Sequence, residues 1–520
     1  MSTRRKPSRA WVDEVASRYQ FDLTDDEIVF AEQLIEQADG WYRRVESLFE
    51  QVSIPPSRRE LHVSSPDERD DPYNAFTSRF TLSGDRSGDL TDVAVGIKDA
   101  IAVAGVPATR GSETMEGFKP RVDAPVVTRL LDAGATIVGK TNQTPFSFMD
   151  LSVGETSATG PVINPRDVTR TPGGSSSGSA VAVVTGDVDL ALGTDQGGSI
   201  RGPAASTGCV GLKPTWGLVP YTGIESLEDT LDHVGPMAMS AERCADALDA
   251  MAGVHPSDHR QCGIDASKIG GYADCLTEEV TDLTIGVLHE GFDTGGGQDP
   301  VHETVATAID LYEDWGATVD EVSIPMTRDS MAIWLVLAFE GMMFKARVNG
   351  LSPFTNGGFA PDDVEQRGEI LKARGQTLPL TMKGTILLGE RQFEMTHGSS
   401  YTKAQIIRNR LRARLDEVFD TFDLLVLPTS PTIAGQVPND ANIERGLAKL
   451  AALAESDSII TTFNLTGHPA ISVPCGTVDS LPVGLQLVGD HLNDGAVLAA
   501  AHALQARGNG ELDLPTREQH

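Results

Sequence analysis

Runs of apolar and polar residues predict helices in the first part of this 520-residue chain. From residue 25 to 52 apolar positions recur at helical spacing against a polar face, and Pro55-Pro56 ends the pattern. Residues 65–90 are polar and rich in turn residues, which indicates a connector. Residues 1–75 are therefore expected to form a helical extension ahead of the main domain.

From residue 90 onward, short apolar runs alternate with helical segments. The pattern predicts helices over 125–133 and 179–185 and buried strands over 135–138 and 190–193. A similar alternation follows from 280 to 335, the stretch 336–420 is mainly helical, and the last segment returns to strands. These observations predict an α/β domain over residues 76–520. Its sheet would be built from both ends of the chain, and the helical insertion around 336–420 would shape a substrate pocket.

The charge balance is strongly acidic. Lys and Arg total 42 and Asp and Glu total 74, which gives a net charge of −32, and only 11 of the basic residues are lysines. The acidic residues are scattered, which is typical of a surface adapted to high salt, where screening removes self-repulsion. The same charge opposes contact with nucleic acid or an anionic membrane, so neither is expected as a partner.

Cysteine usage and the first residues of the chain bear on location. Five dispersed cysteines without a C-x-x-C pair indicate reduced thiols rather than a disulfide framework. Arg4-Arg5 could begin an export signal, but the following residues are rich in Asp and Glu where an apolar stretch is required. No run of about 18 apolar residues exists, so a cytoplasmic protein is expected.

Two motifs suggest other chemistry and are set aside. Residues 134–141, GATIVGKT, match the pattern of a phosphate-binding loop, but a predicted helix precedes them and their middle is an apolar strand, the reverse of what that loop needs. His255 and His259 have a metal-ligand spacing on a helix, but Pro256 opposes a helix and no third ligand is evident. No metal is therefore expected, and His233 and His468 are assigned structural roles.

Two glycine- and serine-rich segments, residues 173–180 and 193–201, carry the strongest signal of chemistry. Such runs are often flexible linkers, but apolar segments closely follow the first one. A loop of this composition held in a core brings backbone N–H groups close to a ligand. Ser199 would lie at a helix start, where free N–H groups favour negative charge.

These two segments, together with Lys98 in the apolar run VAVGIKDAI, resemble the amidase signature family. Lys98 lies 77 residues before Ser175, and Ser175 lies 24 residues before Ser199, as the family's spacing requires. The resemblance runs from about residue 90 to the C-terminus and includes GCVGLKPTWGLVPYTG and NLTGHPAISVPCG. It implies the amidase signature fold, a mixed central sheet covered by helices on both faces, and no cofactor.

The resemblance also implies a mechanism. Ser199 matches the nucleophile, Ser175 the bridging serine that follows a cis peptide bond, and Lys98 the base. A buried lysine loses proton affinity, so Lys98 could take a proton from Ser175, which takes one from Ser199. Ser199 would form an acyl-enzyme, Ser175 would protonate the departing amine, and water would release the acid. The oxyanion would be held by the backbone N–H groups of Gln196, Gly197, Gly198 and Ser199.

Further residues are assigned by position in the same family. Ser176, Asp195 and Arg201 would support the catalytic residues. Phe148 and Trp334 would line an acyl pocket, or are ordinary core aromatics. Ser177 stands where many members carry glycine, and it is tolerated in some.

The resemblance leaves the substrate open between two activities. The segments DQGGSIR and PTWGLVPYTG and the helical extension are most similar to bacterial amidases that hydrolyse simple aliphatic and aromatic amides. That similarity implies a homodimer formed through residues 1–75 and acting on small amides, with carboxylate and ammonia as products. The alternative is the A subunit of the tRNA-dependent amidotransferase, which releases ammonia from glutamine, requires partner subunits and has threonine where Gln196 stands. A non-catalytic binding protein is a third possibility, which the intact Lys98, Ser175 and Ser199 oppose.

Overall fold

A computed structural model describes most of the chain, namely residues 8–52, 61–67, 69–84, 87–149, 157–350, 360–437, 442–454 and 459–508. It consists of two compact units, residues 1–56 and residues 57–520. Residues 1–7 and 53–60 of the predicted extension lie outside the described residues. The predicted domain boundary at residue 75 and the limits of the helical insertion stay predictions.

The first unit contains two helices, α1 (Arg9–Tyr19) and α2 (Asp25–Val52). Ser8 caps α1 by accepting a hydrogen bond from the Trp11 amide at 3.2 Å. Thr24 and Glu27 form a reciprocal pair before α2, with the Thr24 amide 2.7 Å from Glu27 Oε2 and the Glu27 amide 3.4 Å from Thr24 Oγ1. This capping box explains why the second helix begins where the helical pattern begins.

The second unit is built on one sheet of eleven described strands, in the order β1-β3-β2-β4-β6-β5-β10-β11-β9-β7-β8. The strands are β1 (Phe76–Ser83), β2 (Ala94–Lys98), β3 (Thr136–Thr141), β4 (Leu190–Asp195), β5 (Val210–Lys213), β6 (His233–Ala238), β7 (Thr284–Leu288), β8 (Thr318–Val322), β9 (Leu424–Pro428), β10 (Ala470–Val478) and β11 (Leu481–Gly489).

The sheet is mixed and is drawn from both halves of the unit, as expected. Strand β2 is parallel to β3 and β4, and β7 is parallel to β8 and β9. Between them, each pair along the order β4, β6, β5, β10, β11 and β9 is antiparallel. Strand β10, near the end of the chain, therefore joins β5 from its middle.

The described helices of the second unit pack against this sheet and against one another. They are α3 (Pro125–Asp132), α4 (Ser177–Val184), α5 (Arg201–Thr207), α6 (Ala241–Met251), α7 (Asp299–Asp314), α8 (Ser330–Arg347), α9 (Pro361–Arg374), α10 (Leu380–Thr396), α11 (Ser399–Phe419), α12 (Ile443–Ala454), α13 (Thr462–Thr466) and α14 (Asp494–Arg507). Helices α8 to α11 fall in the stretch predicted to be helical, except that α8 begins earlier and residues 351–359 lie outside the described residues. None of the described helices is both long and apolar enough to cross a membrane.

Alternation along the strands assigns the two faces of the sheet. Val95 and Ile97 pack into a core that also holds residues of α3, α6, α7 and α14. Because successive side chains in a strand point to opposite faces, Lys98 points to the other face. That face carries a second apolar cluster built on α4, including Ala180 and Val184. The sequence thus places Lys98 under the helix that follows Ser175.

The connector expected over 65–90 is wrong in part, because it contains strand β1. This strand lies at the edge of the sheet and pairs antiparallel with β3. An edge strand can carry polar residues on its exposed side, so its polar composition resembled a loop. Strand β3 extends beyond the predicted residue 138 and includes Lys140, whose Nζ donates to the backbone oxygens of Asp99 and Ile101 at 3.1 and 2.6 Å. The GATIVGKT segment is thus sheet, not a phosphate-binding loop.

Candidate active site

Lys98 ends β2 as a fully buried side chain surrounded by hydroxyl groups. Its Nζ lies 2.6 Å from Ser175 Oγ, 3.0 Å from Ser176 Oγ and 2.7 Å from Thr194 Oγ1. Burial lowers the pKa of Lys98 well below its ordinary value, and the nearby Asp195 carboxylate only partly opposes this. The amine is therefore poised to be neutral and basic.

The hydrogen bonds around Lys98 have a direction that singles out Ser175. The Ser176 hydroxyl donates to the Thr194 backbone oxygen at 3.1 Å, and the Thr194 hydroxyl donates to Gln196 Oε1 at 3.4 Å. Each hydroxyl has one proton, so both can only accept from Lys98. Two amine protons satisfy them, and the nitrogen lone pair of neutral Lys98 is left for the Ser175 proton. Ser175 is thus the hydroxyl that can pass a proton to the amine.

The two serine segments meet through their backbones. The peptide bond between Gly174 and Ser175 is cis, as the resemblance implied. The Ser176 amide donates to the Ser199 carbonyl at 3.2 Å, which fixes the second segment beside the first. Among the described contacts no hydrogen bond joins the Ser175 and Ser199 hydroxyls. Catalytic hydrogen bonds often tighten only when substrate is bound, so this geometry is compatible with a relay from Ser199.

Ser199 lies in the turn between β4 and α5, where backbone amides are available to a ligand. The amide of Gly198 donates to Asp195 Oδ1 at 2.7 Å and is therefore occupied. Among the described contacts the amides of Gln196, Gly197 and Ser199 have no acceptor. Gly198 has a φ of 105°, which glycine adopts without strain and which shapes this turn. Three of the four amides expected at the oxyanion site thus remain free to act there.

Asp195 and Arg201 hold this turn from below. Both side chains are fully buried, with Arg201 Nε 3.0 Å from Asp195 Oδ2 and Nη2 3.1 Å from Oδ1. Although burial alone would raise the pKa of Asp195, the Arg201 guanidinium holds it far below its usual range. Asn464 on α13 donates to Asp195 Oδ1 at 2.8 Å and accepts from Arg201 Nη2 at 2.7 Å. The remaining Arg201 nitrogen, Nη1, donates to Gln486 Oε1 at 2.7 Å. The supporting role expected of Asp195 and Arg201 fits these contacts.

The two aromatic candidates differ in their relation to the site. Trp334 donates from Nε1 to the Gln196 carbonyl at 2.6 Å, and a Cβ added to Gly197 would lie 2.9 Å from its ring. Phe148 packs edge-on against Phe339, with ring centroids 6.0 Å apart. Both are buried in the same apolar cluster. Trp334 therefore lies against the oxyanion turn, whereas for Phe148 an acyl-pocket role stays a prediction.

Three contributors were missed by sequence reasoning. Thr194 touches Lys98, Asn464 ties α13 to Asp195, and the Tyr221 hydroxyl accepts from Gln196 Nε2 at 2.7 Å. Thr194 could have been found, since it precedes Asp195 in the second serine segment. Asn464 and Tyr221 lie in the quoted motifs NLTGHPAISVPCG and GCVGLKPTWGLVPYTG, but nothing in the sequence shows what they contact.

Comparisons with known proteins agree with this site. The family model described as Amidase matches residues 65–498, so this chain belongs to the Amidase family and is an enzyme of that family. It is 39% identical over 436 residues to the A subunit of the glutamyl-tRNA(Gln) amidotransferase of Halobacterium salinarum, covering 83% of this chain and 99% of that protein. The corresponding A subunit of Haloarcula marismortui is 40% identical over 438 residues, with the same coverage.

Solved structures show the same fold. The crystal structure of the A subunit of the Thermotoga maritima glutamyl-tRNA(Gln) amidotransferase matches with a TM-score of 0.69 and 31% identity, over 86% of this chain and 91% of that one. The peptide amidase of Stenotrophomonas maltophilia matches with a TM-score of 0.65 and 29% identity, over 81% and 83% of the two chains. The expected amidase signature fold is confirmed.

These relatives correct the main functional expectation. A simple amidase of aliphatic and aromatic amides was expected, but the similar curated proteins, across nearly their whole length, are amidotransferase A subunits. The physical reason is that DQGGSIR contains Ser199 and PTWGLVPYTG contains Tyr221, which contacts Gln196, so both motifs serve a reaction that does not depend on the rest of the substrate. These motifs therefore indicate the type of reaction and not the identity of the amide substrate.

The expected partners are corrected by the same finding. A homodimer acting alone on small amides, with no nucleic acid, was expected, but the relatives are named as one subunit of an enzyme for glutamyl-tRNA(Gln). Net charge of one chain is a poor guide here, because another subunit can supply the surface that meets an anionic partner.

Proposed function

We propose that this chain is the A subunit of a tRNA-dependent amidotransferase, in which it hydrolyses the side-chain amide of glutamine and releases ammonia. The observation that carries the proposal is the identity of 36–40% with A subunits, over nearly the full length of several of them. The hydroxyl network around Lys98 supports the hydrolytic half of the reaction. Transfer of the ammonia to glutamyl-tRNA would take place on partner subunits.

The proposed chemistry uses the residues of the site in turn. Lys98 accepts a proton from Ser175 as Ser175 accepts one from Ser199, and Ser199 Oγ attacks the amide carbonyl carbon. The amides of Gln196, Gly197 and Ser199 stabilise the negative oxygen. Collapse of the tetrahedral intermediate breaks the C–N bond while Ser175 passes the proton held by Lys98 to the departing NH2 group, which leaves as ammonia. Water then hydrolyses the ester, which releases glutamate and restores the Ser199 hydroxyl. A cytoplasmic location belongs to the same proposal.

A charged cavity supports glutamine over a simple amide. Arg110 and Arg367 both pair with Glu225 at 2.5 Å, and the three line one cavity with Asp363. Two cations and two carboxylates suit a zwitterion, which glutamine is and an aliphatic amide is not. The cavity lining does not include Lys98, Ser175 or Ser199, and its connection to the site is the Tyr221 hydroxyl, which accepts from Gln196 and donates to the Glu225 backbone oxygen at 2.9 Å.

Ammonia release tests the proposal. Wild type, Ser199→Ala and Ser177→Ala are assayed on glutamine, acetamide, propionamide and benzamide, with and without the partner subunits of the amidotransferase encoded in the same genome. We expect glutamine to be the preferred substrate, its turnover to rise with the partners and charged tRNA, and Ser199→Ala to abolish it. Ser177 is a neighbouring serine outside the proton relay, so Ser177→Ala is the matched control and keeps its activity.

A pair of arginines on one helix tests the cavity. Arg367→Met removes a cation from it, so KM for glutamine rises about 10-fold or more while the turnover of acetamide is unchanged. Arg374, also on α9, contacts Glu116 at an exposed position, and Arg374→Met leaves KM unchanged. Faster hydrolysis of the monoamides than of glutamine, together with no association with partner subunits, would overturn the proposal.

A further inference from the structure

Three metal-ligand side chains from distant parts of the chain meet on one side of the second unit. Asp416 is on α11, His468 lies between α13 and β10, and His491 follows β11. His468 Nε2 is 3.1 Å and His491 Nε2 is 3.8 Å from Asp416 Oδ1, and the three ligand atoms lie within 4.8 Å of one another. The site is remote in sequence from every residue used in the proposed catalysis.

The hydrogen bonds of His468 show which ring nitrogen faces the cluster as an acceptor. Nδ1 lies 3.0 Å from Thr466 Oγ1, and the Thr466 hydroxyl already donates to the Thr462 carbonyl at 3.0 Å. Thr466 can therefore only accept, so Nδ1 carries the proton and Nε2 presents a lone pair. A hydrogen bond from the second nitrogen of a ligating histidine is the usual way that its orientation is fixed.

Both histidines leave this nitrogen unpaired in a buried place. His468 is fully buried, and neither its Nε2 nor that of His491 has a hydrogen-bond partner of acceptable geometry among the described residues. A lone pair 3.1 Å from a carboxylate oxygen is unfavourable unless a cation lies between them.

We propose that Asp416, His468 and His491 bind a divalent transition metal ion of the zinc class. Two imidazoles and one carboxylate are ligands that such ions prefer, whereas magnesium and calcium prefer oxygen alone. Bonds of about 2.0–2.1 Å in a tetrahedron place ligand atoms roughly 3.3–3.5 Å apart, which the distances of 3.1 and 3.8 Å bracket. The fourth position is left for water or for Asp490, whose Oδ1 lies 4.0 Å from His468 Nε2.

The ion would add a second link between parts of the unit that Arg408 of α11 already joins by donating to the Leu465 carbonyl. It would tie helix α11 to the chain segments on either side of the β10–β11 pair. His468 also follows α13, whose Asn464 contacts Asp195 beneath the oxyanion turn. The role is therefore structural, and the ion would stabilise the folded state because an unfolded chain does not preserve the site.

Cobalt binding tests the site on the full-length, tag-free chain after treatment with a chelator. Co²⁺ is titrated in the presence of excess Mg²⁺, which occupies weak surface carboxylates, and the visible d–d absorption is recorded. We expect one Co²⁺ per chain with the intense spectrum of a four-coordinate ion, displacement of that spectrum by Zn²⁺, and a higher unfolding midpoint with Zn²⁺. None of these measurements depends on enzyme activity.

Matched variants separate this site from the rest of the chain. His491→Gln and Asp416→Asn, at the less buried edge of the cluster, weaken Co²⁺ binding by at least about 10-fold and remove the rise in midpoint. The double variant His255→Gln/His259→Gln, which alters the other closely spaced histidine pair, binds as wild type does. The proposal is overturned if wild type binds no stoichiometric Co²⁺, or if the two edge variants bind it unchanged.

Discussion

At the scale of single residues, the direction of hydrogen bonds decides which group does what. Lys98, Lys140 and Lys213 are all fully buried lysines. Lys140 and Lys213 donate to backbone carbonyls, which can only accept, so they are held as donors. Lys98 is the one of the three that meets a hydroxyl with a proton to give. The same burial that costs stability in all three thus produces a base only at Lys98.

Replacement of Lys98 separates activity from stability. Lys98→Met removes the base, so kcat/KM for glutamine falls by roughly 10²–10⁴-fold. The pKa of Lys98 is lowered by burial, so between that lowered pKa and its ordinary value of 10.5 the unfolded chain binds a proton that the folded chain does not. The variant loses this penalty, and its unfolding midpoint equals or exceeds that of wild type at neutral pH. The difference shrinks as pH rises toward 10.5.

The control is the neighbouring buried lysine. Lys140→Met leaves the carbonyls of Asp99 and Ile101 without their donor and the buried Asp99 carboxylate without the ammonium 3.6 Å away, which costs about 3–5 kcal/mol, while the folded fraction keeps its activity. Chemical denaturation and ammonia release on the same samples measure both effects. An active Lys98→Met enzyme would contradict the assignment of the base.

Single residues also mark the limit of what the sequence could predict. Lys98, Ser175 and Ser199 were singled out because their motifs and spacing resemble those of the amidase signature family, and their catalytic roles stay predictions. The cluster of Asp416, His468 and His491 was not singled out, because its members lie on segments that only the folded sheet brings together. His468 was assigned a structural role, because the sequence does not show which side chains it meets in the folded chain.

At the scale of elements, strand β4, the turn after it and helix α5 together position the backbone amides that are proposed to bind the oxyanion. The strand ends at Asp195, the turn carries Gly197 and Gly198, and the helix begins at Arg201, whose guanidinium closes back on Asp195. Trp334 of α8 packs against this turn and donates a hydrogen bond to the Gln196 carbonyl. The position of the amides therefore depends on a helix more than 130 residues further along the chain.

A methyl group at Gly197 tests that dependence. Gly197→Ala places a Cβ 2.9–3.0 Å from the Trp334 indole, so either the ring or the turn must move. We expect kcat/KM to fall by about 10²-fold, the cost of a misplaced oxyanion donor, with little change in overall fold. The Gly197→Ala/Trp334→Phe double variant frees space for the methyl group and recovers part of the loss. Additive losses in the double variant would mean that Trp334 does not position the turn.

Elements with strong local patterns were predictable and those at the edge of the sheet were not. The helix at 125–133 and the strands around 190 and 284 combine apolar runs with clear stop signals, and the structure has them within a few residues. Strand β1 was taken for a connector because its outer side is polar. The order of the strands follows from long-range pairing such as β5 with β10, which no local pattern encodes.

At the scale of the whole molecule, the acidic surface charge and the buried charged residues have different effects. The net charge of −32 is a property of the surface, since buried carboxylates such as Asp195 and Glu225 are paired with arginines. It therefore bears on solubility and salt response. It gave no indication of the similarity to A subunits of the glutamyl-tRNA(Gln) amidotransferase.

Salt should stabilise this chain by screening the repulsion between its surface carboxylates. The Debye length falls from about 10 Å at 0.1 M to about 3 Å at 1 M, so the unfolding midpoint rises with KCl over that range and then levels off. Helix α7 exposes five carboxylates, Asp299, Glu303, Asp310, Glu313 and Asp314, and replacing the last four with the matching amides raises the midpoint at low salt and flattens its KCl dependence. Thermal unfolding of both proteins across KCl concentrations measures this. A midpoint that falls with KCl would remove the salt-adapted interpretation. A rise that continues well beyond about 1 M, unchanged in the amide variant, would assign the effect to exclusion of salt from the protein surface rather than to screening.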